Sequence, residues 1–533
     1  MPFADLHCHP AFWPFNKRNL ESQDPKDHIW NISFTKKQLK QMKKGKRASY
    51  AQSGFDQMTR GDVRLVFASM YAVEKGFFMG NRTRGSNADV VRGVFAQFVN
   101  TPRFLRTVLS TILSPFNKFL QGLNKEGWAR DTLQKMVMAF PRQRINYFQR
   151  NQYDYYNETV TEYKLYKEFE GDKPLAPAPI TTRPYRLCAN ALDVQKALGE
   201  EQIAVILTIE GFHCLCMEPK PGSEELQLCS DQTIYERIKT LKDEWKVFFV
   251  TFSHHFSNGL AGHAHSLPLL LETIANPIPL RNAGIREEAK PFLRTLLSID
   301  ENYSPDATKG RRIFIDVKHF SAQSRKEYYN NFIIPYNNKN PNDKIPVIAS
   351  HVGYYGHRDG LPMVNLDYLI ARADKELDDD FINNFYSWNI NICDEDVAVI
   401  TESEGLIGIS FDQRILGQRP TTTLNDEFWV EVLLRNILGM VKAARNNVKQ
   451  NPERVWKCLT IGTDFDGLVD PINSTATSAA FGEITGELTR QLHVIAERFG
   501  AEYFLKGNPY TPEEVVRMFC FDNAYNFTLK HFK

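Results

Sequence analysis

Ala204-Val-Ile-Leu-Thr-Ile-Glu210 is a nearly unbroken apolar run that ends on a carboxylate. Such a run without polar alternation reads as a strand buried on both faces, as in a parallel sheet. Seven further runs of the same kind end near His7, Tyr71, Ser253, Asp316, Ser350, Asp412 and Asp464. Helix-like segments separate several of them, including Asp231–Glu244 and Phe428–Lys449. Eight strands alternating with helices predict a (β/α)8 TIM barrel of the α/β class. In that fold the chemistry gathers at the strand C-terminal ends. Five polar clusters fall at such ends here: Asp5-Leu-His-Cys-His9, Ile209-Glu-Gly211, Asp316-Val-Lys-His319, Ser350-His-Val-Gly353 and Gly462-Thr-Asp-Phe-Asp-Gly467. Histidines and carboxylates at successive strand ends point to a metal-dependent hydrolase.

The 533 residues suffice for two average domains, but one decorated barrel also uses this length. A single barrel domain over 1–533 is expected, with mostly helical insertions at 10–62 and 79–200. Hydrophobic residues make up 42%, ample for a large core, and the net charge of +2 gives no argument for nucleic acid. Eight scattered cysteines form no zinc-finger pattern, and a chain of this size needs no disulfides, so a reducing, cytoplasmic setting is expected. The first motif begins at residue 5, which leaves no room for a signal peptide in the chain as given. No apolar run approaches the length of a transmembrane helix.

His7 and His9 stand two apart on a strand, so both side chains face the barrel mouth, where neutral imidazoles chelate a divalent metal. Glu210 at the end of an apolar strand needs a partner, either a basic side chain or one or two cations between its oxygens. His319 and His351 follow neighbouring strands. With His7, His9 and Glu210 they supply five candidate ligands, enough for one closed site or two open ones. Asp464 is placed to take a proton from water and pass it to a leaving amine, with Asp466 as a competitor or a turn residue. His254, in Ser253-His-His255, is the preferred candidate to hydrogen-bond a developing oxyanion, ahead of His263 and His265. Arg358 offers a fork for a substrate carboxylate, or else a surface ion pair. His213, Cys214 and Cys216 lack the spaced partner pair of a structural zinc site and read as structural.

The insertions carry the basic run Lys36–Arg47, and residues 101–150 hold nine Lys/Arg against two Asp/Glu. A solvated helical hairpin packed on the barrel is the preferred reading. A lid, a homo-oligomer face and a contact with an anionic surface are the functional ones.

Asp5-Leu-His7, Thr208-Ile-Glu-Gly211, Val250-Thr-Phe-Ser-His254, Ile315–Ser321, Pro346–His351 and Ile461–Gly467, in this order, resemble the membrane dipeptidase (renal dipeptidase-like) family of the amidohydrolase superfamily. The resemblance implies a zinc-dependent barrel that hydrolyses dipeptides. It implies Glu210 bridging two ions, His7 on one, and His319 and His351 on the other. It also implies His254 at the substrate carbonyl, Arg358 at its carboxylate and Asp464 as proton shuttle. Two positions depart from the family. His9 stands in place of an aspartate, so the ligand set is one charge less negative and holds a second ion less firmly. Lys318 stands beside His319 in place of a small residue, and strand alternation predicts that it points away from the mouth.

The leading expectation is a zinc-dependent, dipeptidase-like hydrolase that uses metal-activated water on a peptide or related amide, with one or two ions per chain. The alternatives are an amidohydrolase acting on a lactone, cyclic amide or ester, and a non-catalytic barrel used as a binding module.

Overall fold

The computed structural model describes residues 1–17, 51–78, 140, 142–171, 183–223, 225–267, 277–358, 360–373, 381–382, 385–417, 428–503 and 510–533. The basic run Lys36–Arg47 and all of 101–139 lie outside these residues.

Nine strands form one parallel sheet: β1 (Phe3–Cys8), β2 (Val63–Met70), β3 (Tyr185–Leu187), β4 (Ile203–Glu210), β5 (Phe249–Thr251), β6 (Phe314–Asp316), β7 (Ile348–Val352), β8 (Leu406–Ile409) and β9 (Leu459–Ile461). Eight of them run in the order β1-β2-β4-β5-β6-β7-β8-β9, while β3 pairs with β4 off this path. A bridge between Cys8 and Phe465 joins the last strand's loop to the first strand, and the amides of Asp464 and His9 donate across it to His7 and Phe465 carbonyls at 2.9 Å each. The ring is thereby closed, and the chain is a (β/α)8 barrel. The eight expected strands are all present. Tyr185–Leu187 was not anticipated, because three residues are too few to show a period.

Every residue of β1 and β4 is buried, as a parallel barrel wrapped by helices requires. The helices expected over 231–244 and 428–449 are Asp231–Asp243 and Phe428–Asn447. The first starts on Ser230, whose side chain accepts from the Thr233 amide. Among the described residues no helix is long and apolar enough to cross a membrane.

Two buried carboxylates tie neighbouring strands inside the barrel. Asp316 accepts from the hydroxyls of Thr251 on β5 and Ser350 on β7, each at 2.6 Å. Asp5 accepts from the Thr463 hydroxyl at 2.6 Å and its amide at 2.9 Å, linking β1 to the end of β9. The barrel is tight on the far side of Ser350. A Cβ at Gly408 or Gly462 would fall 1.9 or 2.0 Å from the Ser350 carbonyl oxygen, so only glycine lets β8 and β9 approach β7.

Candidate metal centre

At the C-terminal rim, five imidazoles surround one carboxylate. Glu210 Oε1 lies 3.5 Å from His7 Nε2, 3.5 Å from His254 Nε2, 3.3 Å from His319 Nε2 and 3.4 Å from His351 Nε2. Its other oxygen lies 3.0 Å from His9 Nε2. Asp464 completes the group, with Oδ1 3.9 Å from His7 Nε2 and 3.7 Å from His9 Nε2, and Oδ2 3.9 Å from His351 Nε2. The residues come from the ends of β1, β4, β5, β6, β7 and β9, far apart in sequence and joined only by barrel closure. Local backbone helps aim two of them: His319 and Asp464 adopt left-handed φ angles of 66° and 60°, which turn the chain off the strand axis.

The outer nitrogens of His7, His9, His254 and His351 face hydrogen-bond acceptors. His9 Nδ1 sits 3.0 Å from the Ser69 carbonyl oxygen, so that nitrogen carries the proton. Ser350 donates its hydroxyl to Asp316, and its oxygen then accepts from His351 Nδ1 at 2.8 Å and from His7 Nδ1 at 3.4 Å. His254 Nδ1 donates to Glu74 at 2.6 Å, and His255 Nδ1 faces the Ser266 hydroxyl at 2.7 Å. With Nδ1 protonated, His7, His9, His254 and His351 turn Nε2 inward, the arrangement by which outer hydrogen bonds orient metal-binding histidines.

Electrostatics follow from burial and these neighbours. Burial pushes Glu210 up, but His7 and His254 outweigh it and hold the carboxyl well below its usual range. Burial drives His319 and His351 well below the usual imidazole value, which keeps them neutral. Burial opposes charge on His254 too, yet Glu74 and Glu210 raise it to about 10. For His9, Asp464 and Glu210 likewise overcome burial and raise it. Burial raises Asp464, against hydrogen bonding from His9.

The cavity above the cluster is lined by His9, Glu210, His254, His319 and Asp464 on one side and by Tyr71, Phe77, Tyr386 and Ile415 on the other. Arg358 is not among its lining residues; it stacks over Tyr355, with its guanidinium 4.9 Å from the ring centroid. Asp466 is engaged elsewhere. It accepts from Trp13 Nε1 at 2.7 Å, from the Gln52 and Ser53 amides at 2.8 Å and from the Ser53 hydroxyl at 2.7 Å. It fastens residues 51–53 to the barrel rather than competing with Asp464. His213 Nε2 faces the Ala72 carbonyl at 2.8 Å, outside the cluster. His263 packs against the Ala264 and Pro279 carbonyls.

Lys318 corrects an expectation. It lines the cavity instead of pointing away from it. The strand ends at Asp316, whose carboxylate caps the Lys318 amide at 3.1 Å, and His319 turns left-handed, so the period of two no longer applies. Burial pulls its ammonium down to about 8, against Asp464 and Asp316. Two further site residues escaped the sequence reading, and a third was passed over for its neighbour. Glu74 sits in a loop after β2, and Arg414 follows β8 in a segment with no motif. His255 stood next to His254, and its place in the lining and in a compact group with His254 and His319 needed coordinates.

This donor set fits a divalent metal. His7, Glu210, His351 and Asp464 each offer a ligand atom within 4.8 Å of the others. His7 Nε2, His9 Nε2 and both His319 nitrogens are buried without a hydrogen-bond partner. Lone pairs converging on carboxylates repel unless a cation lies between them, and imidazole with carboxylate suits zinc.

No protein-family model matches the chain, and no curated protein matches it in sequence. Solved structures do. A dipeptidase AC, described as a metallopeptidase of family M19, aligns with a TM-score of 0.51 at 11% identity, over 100% of this chain and 99% of that one. The probable dipeptidase PvdM from Pseudomonas aeruginosa aligns at 0.49 and 11% identity, over 100% and 96%. A Rhodobacter sphaeroides metallopeptidase, liganded with a phosphinate mimic of the dipeptide L-Ala-D-Ala, aligns at 0.48 and 13%, over 100% and 99%. The described residues share the barrel fold of the M19 dipeptidase.

Proposed function

We propose that this chain is a metal-dependent hydrolase of the dipeptidase type, cleaving a peptide or related amide bond. The observation that carries the reading is the convergence of five Nε2 atoms on Glu210, beside Asp464, on the wall of a cavity. His7, His9, Glu210, His319 and His351 would hold zinc, as one or two ions. An ion held there supplies Lewis acidity, polarising the substrate carbonyl and acidifying water to a nucleophile near neutral pH. Likeness of fold to a dipeptidase supports the substrate class.

The chain's own residues do the rest. Glu74 fixes the His254 ring, so its Nε2–H faces the cavity and donates to the carbonyl oxygen as negative charge develops there. Asp464, whose side chain is 17% exposed and so reaches the cavity, accepts the proton of the attacking water at its carboxylate. The same carboxyl then delivers that proton to the departing nitrogen. Tyr71, Phe77 and Tyr386 line the cavity with aromatic surface.

Assays of the zinc-loaded protein on dipeptides, N-acyl amino acids and lactones test the reading. Turnover of dipeptides is expected. Turnover of lactones alone would replace the peptidase assignment, and no turnover with a full complement of zinc would favour a binding barrel.

A further inference from the structure

We infer that Lys318 is the anion anchor of the cavity, binding a carboxylate carried by the substrate. The inference rests on the hydrolytic reading above and deepens it by naming a charge the substrate must bear.

Lys318 is only 3% exposed, yet it lines the cavity. Its ammonium makes no hydrogen bond or ion pair with any described residue; its one polar contact is through its backbone amide to Asp316. The acids that face it are committed to others. Asp316 serves Thr251 and Ser350. Asp412 is gripped by the Arg414 guanidinium at 2.8 and 3.0 Å. Glu210 and Asp464 face the imidazoles. A buried ammonium is costly unless something pairs with it, and a substrate anion would supply the pairing.

The other cations near the rim are less suited. Arg414 also lines the cavity, but its fork is taken up by Asp412. Arg358 lies over Tyr355, outside the lining. Under this inference Lys318 takes the anion-binding role that sequence resemblance implied for Arg358, whose Nε and Nη1 are buried without a hydrogen-bond partner but outside the cavity lining. Lys318 adjoins His319, so a carboxylate on its ammonium sits beside the ligand cluster. That suits a substrate whose carboxylate lies close to the scissile carbonyl, as the terminal carboxylate of a dipeptide does.

The test compares Ala-Ala with its C-terminal amide on zinc-loaded wild-type enzyme, Lys318→Met and Lys318→Arg, with zinc content measured in each. Wild type is expected to prefer the free acid. Lys318→Met should lose about 30-fold or more of kcat/KM for the acid, through KM, while the amide changes little. Lys318→Arg should keep part of the preference. A preference that survives in Lys318→Met overturns the inference, as does a wild type indifferent to the carboxylate. If neither peptide is cleaved, the hydrolytic reading fails by itself. Calorimetric binding of N-acetylglycine and N-acetylglycinamide then decides for Lys318. Tighter binding of the acid to wild type, lost in Lys318→Met, supports the anchor. Equal affinities, or no binding of either, overturn it.

Discussion

Replacing Asp464 by asparagine keeps the shape of the side chain and removes the group proposed to carry the proton. Turnover should fall by about 100- to 10,000-fold, the usual contribution of a positioned acid–base group. Zinc should remain, because His7, His9, Glu210, His319 and His351 are untouched; parallel kinetics and metal analysis check both. Loss of zinc together with activity would make Asp464 chiefly a ligand. At this scale the sequence was informative about residues at strand ends. His7, His9, Glu210, His254, His319, His351 and Asp464 all meet at one rim, since strand periodicity and fold placed them there. It was uninformative where the backbone leaves regular geometry. Lys318 points inward because His319 turns left-handed, and no period reveals that. Glu74 and Arg414 lie in loops, whose path depends on tertiary packing.

At the scale of elements, Glu404 joins three parts of the barrel's outer layer. It precedes β8 and pairs with Lys530 of the helix Asn523–His531 at 2.7 Å, with Arg454 of the 3-10 turn Pro452–Lys457 at 2.5 Å and with Lys344 before β7 at 3.3 Å. Burial raises its carboxyl, but Lys530 and Arg454 prevail and lower it from 4.5 to about 2. A carboxyl depressed in the folded state stabilises above its unfolded value, and that contribution is lost as pH falls from about 4.5 toward 2. Glu404 is partly exposed, its side chain 30% accessible, so the clamp is worth about 0.5–1 kcal/mol after screening. Denaturant unfolding should show Glu404→Gln less stable than wild type by that amount at pH 7, with the gap closing near pH 2. A gap independent of pH would contradict the clamp. The barrel strands were legible because burial on both faces leaves apolar runs. The strand Tyr185–Leu187 was not, since it pairs off the main ring and is too short to carry a pattern.

The whole molecule is a closed ring whose strands converge their polar ends on one cavity. Composition predicted a large core and gave no reason to expect nucleic acid. The site itself exists only through closure, since Asp464 reaches His7 and His9 across the seam between the last and first strands. Anomalous diffraction at the zinc edge, from crystals of the zinc-loaded protein, tests the central claim most directly. The account predicts ordered zinc in direct contact with Glu210 and with imidazole nitrogens of His7, His319 or His351. A zinc-soaked crystal with no anomalous peak at this rim, or with its peaks elsewhere on the protein, would contradict it.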